Sequence, residues 1–139
     1  MRNKRFVLDP NIYISYFISR NQNALAAFAI KHKLEFVICD ELIAEFRRVL
    51  GYPRLTKFKI DIKQAVYVVT TLGTAYTLAY PIKRYIPQDE NDDYLIALAL
   101  QTSSGISGDD DILSEKNNLE RKFKKLKILT KAEFEQLFS

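Results

Sequence analysis

The sequence has little of the chemistry that cysteine and histidine provide. Its 139 residues include one cysteine, Cys39, and one histidine, His32. A single cysteine excludes an internal disulfide and any zinc site rich in cysteine ligands. His32 lies between Lys31 and Lys33, where we expect a solvated helix end. Neither residue has the companions that a Ser-His-Asp or Cys-His nucleophile requires, so covalent catalysis is not expected.

Long hydrophobic runs are also missing. No apolar stretch approaches the length of a transmembrane helix, and the first five residues lead straight into a short apolar run instead of a signal peptide. We therefore expect a cytoplasmic protein. The composition, 47% hydrophobic and 27% charged, is ordinary for a globular protein. The length suits one domain with one hydrophobic core, which we expect to span residues 1–139.

Basic residues are absent from one long segment. Residues 85–115 contain no Lys or Arg but eight of the 17 acidic residues, which leaves the rest of the chain with a net charge of +12. A basic body around an acidic region is typical of a protein that attracts polyanions and holds a metal ion. The alternative is that Lys122, Lys124, Lys125 and Lys127 simply solvate a C-terminal helix.

Short apolar runs alternate with segments of helical periodicity. This alternation predicts βαβ units, and hence an α/β fold with a mainly parallel sheet of about five strands and helices on both faces. The strands are predicted at residues 5–9, 35–39, 75–80, 105–107 and 126–129. Helices are predicted at residues 11–19, from Asn21 or Asn23 to about Lys33, and at residues 40–50, 57–72 and 92–101.

Four separated acidic residues are placed to meet at one edge of such a sheet. Asp9 ends the first strand and Asp109 follows the fourth, and ligand sites form at the carboxyl ends of parallel strands. Asp92 lies in the middle of the inward face of its helix, where an unpaired carboxylate would be costly. Glu45 lies at the rim of the apolar face of another helix.

Carboxylates that converge in this way need a cation to stay ionised together. Oxygen ligands favour Mg²⁺ or Mn²⁺, and such sites mostly act on phosphate esters. Simpler roles remain open for some of these residues. Asp9 can serve as a helix N-cap, Glu45 can pair with Arg48, and Asp93 can share the work of Asp92 or only complement the helix dipole.

The motifs that carry these acids resemble those of the PIN domain family. Members typically read Asp-Thr-Asn, then Asp-Pro-Asp-Asp, then Thr-Gly-Asp-x-Asp-Leu-Leu. In this chain the corresponding segments are residues 9–11 (Asp-Pro-Asn), residues 89–93 (Asp-Glu-Asn-Asp-Asp) and residues 107–113 (Ser-Gly-Asp-Asp-Asp-Ile-Leu). Three positions depart from the family pattern: Pro10 and Ser107 replace threonines, and Glu90 replaces a proline. The likeness is strongest to small PIN proteins described as toxin components of toxin–antitoxin systems.

The resemblance implies an α/β/α sandwich and Mg²⁺- or Mn²⁺-dependent cleavage of single-stranded RNA. Its catalytic acids fall on Asp9, Glu45, Asp92 and Asp109, of which Asp9, Asp92 and Asp109 would hold the metal. The supporting residues would be Asn11, Asp93, Ser107 and Asp111.

The resemblance also implies partners: single-stranded RNA and a cognate antitoxin protein, with a homodimer left open. Two alternatives remain. One is a structure-specific DNA nuclease, although 139 residues leave little room for the extra helical clamps of such enzymes. The other is a catalytically inactive PIN-fold interaction module, which the presence of all four acids disfavours.

Overall fold

Five parallel strands form the central sheet, which confirms the expected α/β architecture. The computed structural model describes residues 4–87, 90–108 and 110–138. The strands are β1 (Lys4–Leu8), β2 (Leu34–Ile38), β3 (Gly73–Ala75), β4 (Gly105–Ser107) and β5 (Ile128–Leu129). Their order across the sheet is β3-β2-β1-β4-β5, and every neighbouring pair is parallel.

Helices flank the sheet on both faces, which confirms the three-layer arrangement. They are α1 (Pro10–Ile18), α2 (Asn23–His32), α3 (Asp40–Leu50), α4 (Ile62–Leu72), α5 (Asp93–Thr102), α6 (Asp110–Ser114), α7 (Lys116–Lys122) and α8 (Lys131–Leu137). Two 3-10 turns lie at Pro53–Phe58 and Glu90–Asp92. None of the described helices combines the length and hydrophobicity of a membrane span.

An aromatic cluster joins the central strands to the last helix. The Phe134 ring of α8 is fully buried and meets Phe6 of β1 edge-on, with ring centroids 5.2 Å apart. Phe36 of β2 and Phe138 also contact Phe134. Edge-to-face aromatic pairs of this kind add about 0.5–1.5 kcal/mol each beyond their burial. The cluster therefore fixes the C-terminal helix against β1 and β2.

His32 belongs to this cluster, so the expectation of a solvated helix end is wrong. Its ring lies 5.2 Å from that of Phe138, and its Nε2 is 2.9 Å from the Phe138 carbonyl oxygen. The side chain is half-buried because α8 packs beside the end of α2. Charged neighbours in the sequence could not reveal a helix that arrives from the other end of the chain.

The predicted helix at residues 57–72 begins later than expected. Helix α4 starts at Ile62, and Asp61 caps it by accepting the Gln64 N–H at 3.1 Å. Lys59 has a positive φ of 53°, which separates α4 from the preceding 3-10 turn. The left-handed Lys59 and the N-cap at Asp61 prevent the helix from starting earlier. The helical spacing of apolar residues alone gives no sign of this limit.

The third strand lies earlier than the predicted residues 75–80. β3 occupies Gly73–Ala75, directly after α4, and the Tyr76 N–H makes one more bond to the Ile38 carbonyl at 2.8 Å. The chain then leaves the sheet, because the Gln101 side chain holds both backbone groups of Ala79 at 2.8 and 3.0 Å. This capture by a distant glutamine has no local sequence signal.

Close packing between β1 and β4 requires a glycine at position 105. We therefore predict that Gly105→Ala and Gly51→Ala change the free energy of unfolding by clearly different amounts. Gly105 is the register partner of Phe6, and a Cβ there would lie 2.6 Å from Cε1 of the Phe6 ring. We expect Gly105→Ala to lower the free energy of unfolding by about 1–3 kcal/mol, measured by urea denaturation.

The matched control is Gly51→Ala at the end of α3. Gly51 has a φ of −83°, and the nearest atom to its Cβ would be the Arg48 carbonyl oxygen at 3.4 Å. Reduced entropy of the unfolded chain should stabilise this variant by about 0.4–1 kcal/mol. Equal stability of the two variants would contradict the packing assigned to Phe6.

Candidate metal and nuclease site

Asp9 lies at the carboxyl end of the central strand. Its backbone N–H donates to the Ser107 carbonyl at 2.9 Å, so Asp9 lies beside the end of β4. Pro10 follows as the first residue of α1, and the Asp9 Oδ1 accepts the Asn11 N–H at 2.8 Å as the N-cap. Proline restrains the preceding residue to an extended conformation, which suits this turn from strand to helix. Asp9 is only 2% exposed.

Asp92 lies at the same edge of the sheet. It immediately precedes α5 and is 4% exposed. The far end of α5 lies at the opposite edge, where Arg5 at the start of β1 donates to the Thr102 carbonyl at 3.3 Å. A helix of this length extends about 15 Å, roughly the length of β1, so its first turn returns to the level of Asp9.

Glu45 is the third acid at this edge, and Tyr94 holds it. Helix α3 begins directly after β2, and the Glu45 side chain, 16% exposed, accepts a hydrogen bond from the Tyr94 hydroxyl of α5. Burial, the Glu45 charge and this hydrogen bond raise the pKa of Tyr94, and the Asp9 charge raises it further. Asp9 and Glu45 therefore face the same tyrosine.

The ion pair of Glu45 with Arg48 is weak. Their charged atoms are 3.9 Å apart, and the Arg48 side chain is 60% exposed. Pairs of this kind contribute little, because solvent screens them. The alternative role of Glu45 as a surface partner of Arg48 therefore explains less of its position than Tyr94 does.

Asp93 has a structural set of partners. Its Oδ1 accepts the N–H groups of Tyr85 and Ile86 at 2.8 and 2.7 Å, and its Oδ2 lies 2.8 Å from the Arg84 Nε. Asp93 is 4% exposed. The residue thus fastens residues 84–86 to the first turn of α5 and fixes the position of its neighbour, Asp92.

The other sequence-predicted residues have different environments. Ser107 is fully buried, and its Oγ has no hydrogen-bond partner within the described residues. Asn11 is exposed at the start of α1, and Asp111 is half-buried in α6. Asp109 lies outside the described residues. Asp9 and Asp92 are both buried, and Glu45 shares the Tyr94 hydroxyl region with the Asp9 charge; that these acids form one site stays a prediction.

Sequence reasoning missed Tyr94 and Arg84. Tyr94 carries the only hydroxyl among residues 94–100, an otherwise apolar run, and this was the available signal. Arg84 gave no signal, because it lies in an irregular segment outside the motifs.

The atoms that these acids offer as ligands are of the type that a hard cation prefers. Asp9, Glu45 and Asp92 offer only carboxylate oxygens, the ligands that Mg²⁺ and Mn²⁺ prefer. Across residues 4–87, 90–108 and 110–138, no three acidic, histidine or cysteine side chains form a group able to hold a metal by themselves. Cys39 is no substitute, since burial raises the pKa of its thiol to about 12 and keeps it protonated.

A comparison with known protein families matches most of this chain. The family model described as the PIN domain matches residues 5–106, about three quarters of the chain. The match includes Asp9, Glu45 and Asp92 and ends just before Ser107. No curated protein matches the chain.

The partners of Asp93 predict that two adjacent aspartates respond oppositely to substitution. In Asp93→Asn an amide replaces the carboxylate beside Arg84, and we expect a loss of about 1–3 kcal/mol in unfolding free energy without metal. Asp92→Asn keeps a good N-cap residue and removes one like charge, so its metal-free stability should equal or exceed that of the wild type.

Chemical denaturation of both variants in EDTA measures this difference. Asp110→Asn, an exposed neighbour in α6, controls for the change of charge alone and should shift stability by less than about 0.5 kcal/mol. If Asp92→Asn were the destabilised variant, the structural role would belong to Asp92 instead.

Proposed function

The chain belongs to the PIN domain family, and from this premise we propose that it is a metal-dependent endoribonuclease that hydrolyses phosphodiester bonds of single-stranded RNA. The family match gives it a nuclease-type fold. The observation that carries the proposal is that Asp9, at the end of β1, and Asp92, directly before α5, are both buried, while Glu45 accepts a hydrogen bond from Tyr94. Buried carboxylates of this kind suit a cation and a phosphate ester.

Asp9, Asp92 and Asp109 would hold Mg²⁺ or Mn²⁺. The bound ion would lower the pKa of a water molecule and offset charge on the scissile phosphate. Asp9 is already oriented for this role, because the Asn11 N–H holds its Oδ1 at 2.8 Å. The hydrogen bonds of Asp93 with residues 85–86 orient the first turn of α5 and so restrict the orientation of Asp92.

Glu45 would take the proton from the attacking water or hold the metal through a water molecule. The raised pKa of Tyr94 keeps its hydroxyl protonated at neutral pH, so that it remains a donor to Glu45. This hydrogen bond restricts the orientation of the Glu45 carboxylate. Arg48 and Arg84, both largely exposed at the rim, can contact RNA phosphates.

We extend the proposal to a biological role as the toxin of a toxin–antitoxin pair, with an antitoxin protein as partner. The support is the motif resemblance. Expression should arrest growth, co-expression of the protein encoded beside it should relieve the arrest, and Asp92→Asn should be harmless. Growth arrest by Asp92→Asn would disconnect toxicity from the acidic site.

Cleavage of an unstructured RNA tests the biochemical proposal. Purified protein should cut it with Mg²⁺ or Mn²⁺ and stop with EDTA, whereas Asp9→Asn and Asp92→Asn should lose at least about 10²-fold in rate. Loss on this scale is expected because each variant removes a charge that the metal and the water require.

Asp110→Asn is the matched control for the cleavage assay, because Asp110 is exposed and one residue from the motif acid. It should cut at the wild-type rate. Equal cleavage by all variants would mean a contaminating ribonuclease or another site. Preference for branched DNA would favour the structure-specific DNA nuclease, and inactivity with every substrate and metal would favour the interaction module.

A further inference from the structure

A run of lysines near the C-terminus has no role in the site described above. From residue 121 to residue 131 the chain has six basic residues and no acidic one. We call residues 122–127 the basic loop; it contains Lys122, Lys124, Lys125 and Lys127, all exposed. Only Lys122 belongs to a helix, since α7 ends there and the other three lie between α7 and β5. Solvation of a C-terminal helix therefore does not explain the run.

The basic loop lies at the edge of the sheet opposite to the acidic site. It leads into the start of β5, and all five strands are parallel. It also borders the C-terminal end of α5, where a cavity of about 250 Å³ is lined by Ser103, Lys124 and Lys125. The length of α5 separates this cavity from Asp92 by about 15 Å.

Three of the four lysines in the loop have ammonium groups without a partner among the described residues. Within the part of the chain that the structure describes, the side chains of Lys124, Lys125 and Lys127 make no ion pair, hydrogen bond or ring contact, whereas Lys122 lies over the Phe123 ring at 5.6 Å. Cations near the acidic site differ, because Arg84 pairs with Asp93 at 2.8 Å. The side-chain charges of Lys124, Lys125 and Lys127 are thus available to an external anion.

Helix dipoles do not account for this charge. Helices α5 and α7 end beside the loop, and each C-terminus carries about −0.5 charge, which gives about −1 against the four lysines. The last carbonyls of α5 are also occupied already, since the Ser104 N–H donates to the Ala99 carbonyl at 2.8 Å. A surplus of about +3 remains for an external anion.

We propose that the basic loop is a second RNA-binding surface, which anchors a single-stranded RNA whose cleaved bond lies at the acidic edge; this inference rests on the proposed function. Residues 85–115 carry eight acids and repel a polyanion, and an anchor at the other edge offsets that repulsion. An anionic membrane would require exposed apolar anchors beside the lysines. Leu126 is buried and Phe123 is half-buried, so RNA fits better.

The test compares two triple variants that remove equal charge. Lys124, Lys125 and Lys127 are changed to Gln in one, and the exposed Lys57, Lys59 and Lys63 in the control. The probe is a labelled single-stranded RNA of about 20 nucleotides, longer than the roughly 4–16 nucleotides that one domain typically covers. Binding is followed by fluorescence anisotropy in EDTA, where the RNA is not cut, over a range of salt concentrations.

The loop variant should bind this RNA roughly tenfold more weakly, with a slope of log K against log salt that is smaller by about 2. The control should bind like the wild type. Equal losses of RNA affinity in the two triple variants would mean that only net charge matters, and would overturn the proposal. Unchanged RNA binding with loss of binding to anionic phosphatidylserine vesicles would assign the loop to membranes and also overturn it.

Cleavage separates this inference from the proposed function. With Mn²⁺, the loop variant should have a KM for the long RNA raised about tenfold with kcat unchanged, and wild-type kinetics on a trinucleotide too short to reach the loop. If no substrate is cut, the proposed function fails while the binding result stands. If the long RNA is cut with an unchanged KM, the anchor fails while the nuclease stands.

Discussion

The parallel register of β1 with β4 is the constraint on which the candidate site depends. It places Leu8 opposite Ser107, so that Asp9 and Gly108 emerge side by side at the carboxyl edge. Helices α3 and α5 add Glu45 and Asp92 because each begins at that same edge. The backbone hydrogen bonds between β1 and β4 thus bring together Asp9 and Gly108, which are far apart in the sequence.

Carboxylates that lie near one another repel and oppose folding unless cations or hydrogen-bond donors offset their charge. Several of the acids in this region have such partners. Asp93 neutralises its own charge locally with Arg84 and two backbone N–H groups, and Tyr94 donates to Glu45. Asp9 receives the Asn11 N–H. These contacts orient the Asp9, Glu45 and Asp93 carboxylates. The four lysines of the basic loop lie at the opposite edge of the sheet, away from these acids.

The sequence predicted the fold well, because the fold follows from periodicity. Alternating apolar runs define a parallel sheet, and the 3.6-residue period indicates a core-facing Asp92, which is buried directly before α5. Contacts between distant segments could not be predicted. Gln101 removes Ala79 from the sheet, α8 buries His32, and Tyr94 reaches Glu45, each through a partner at least 22 residues away. Such side-chain contacts leave no periodic signal.

Metal-dependent stability tests the central claim most directly, namely that the acids at this edge jointly bind a divalent cation. An ion that binds the folded site and not the unfolded chain stabilises by about 2.7 kcal/mol at a concentration 100-fold above its Kd. Thermal melts of wild type and Asp92→Asn, each with EDTA and with saturating Mn²⁺, measure this directly. The account predicts a rise of several degrees in the wild-type Tm and little rise in Asp92→Asn. Identical shifts in the two proteins would contradict it and leave Asp92 as a helix cap.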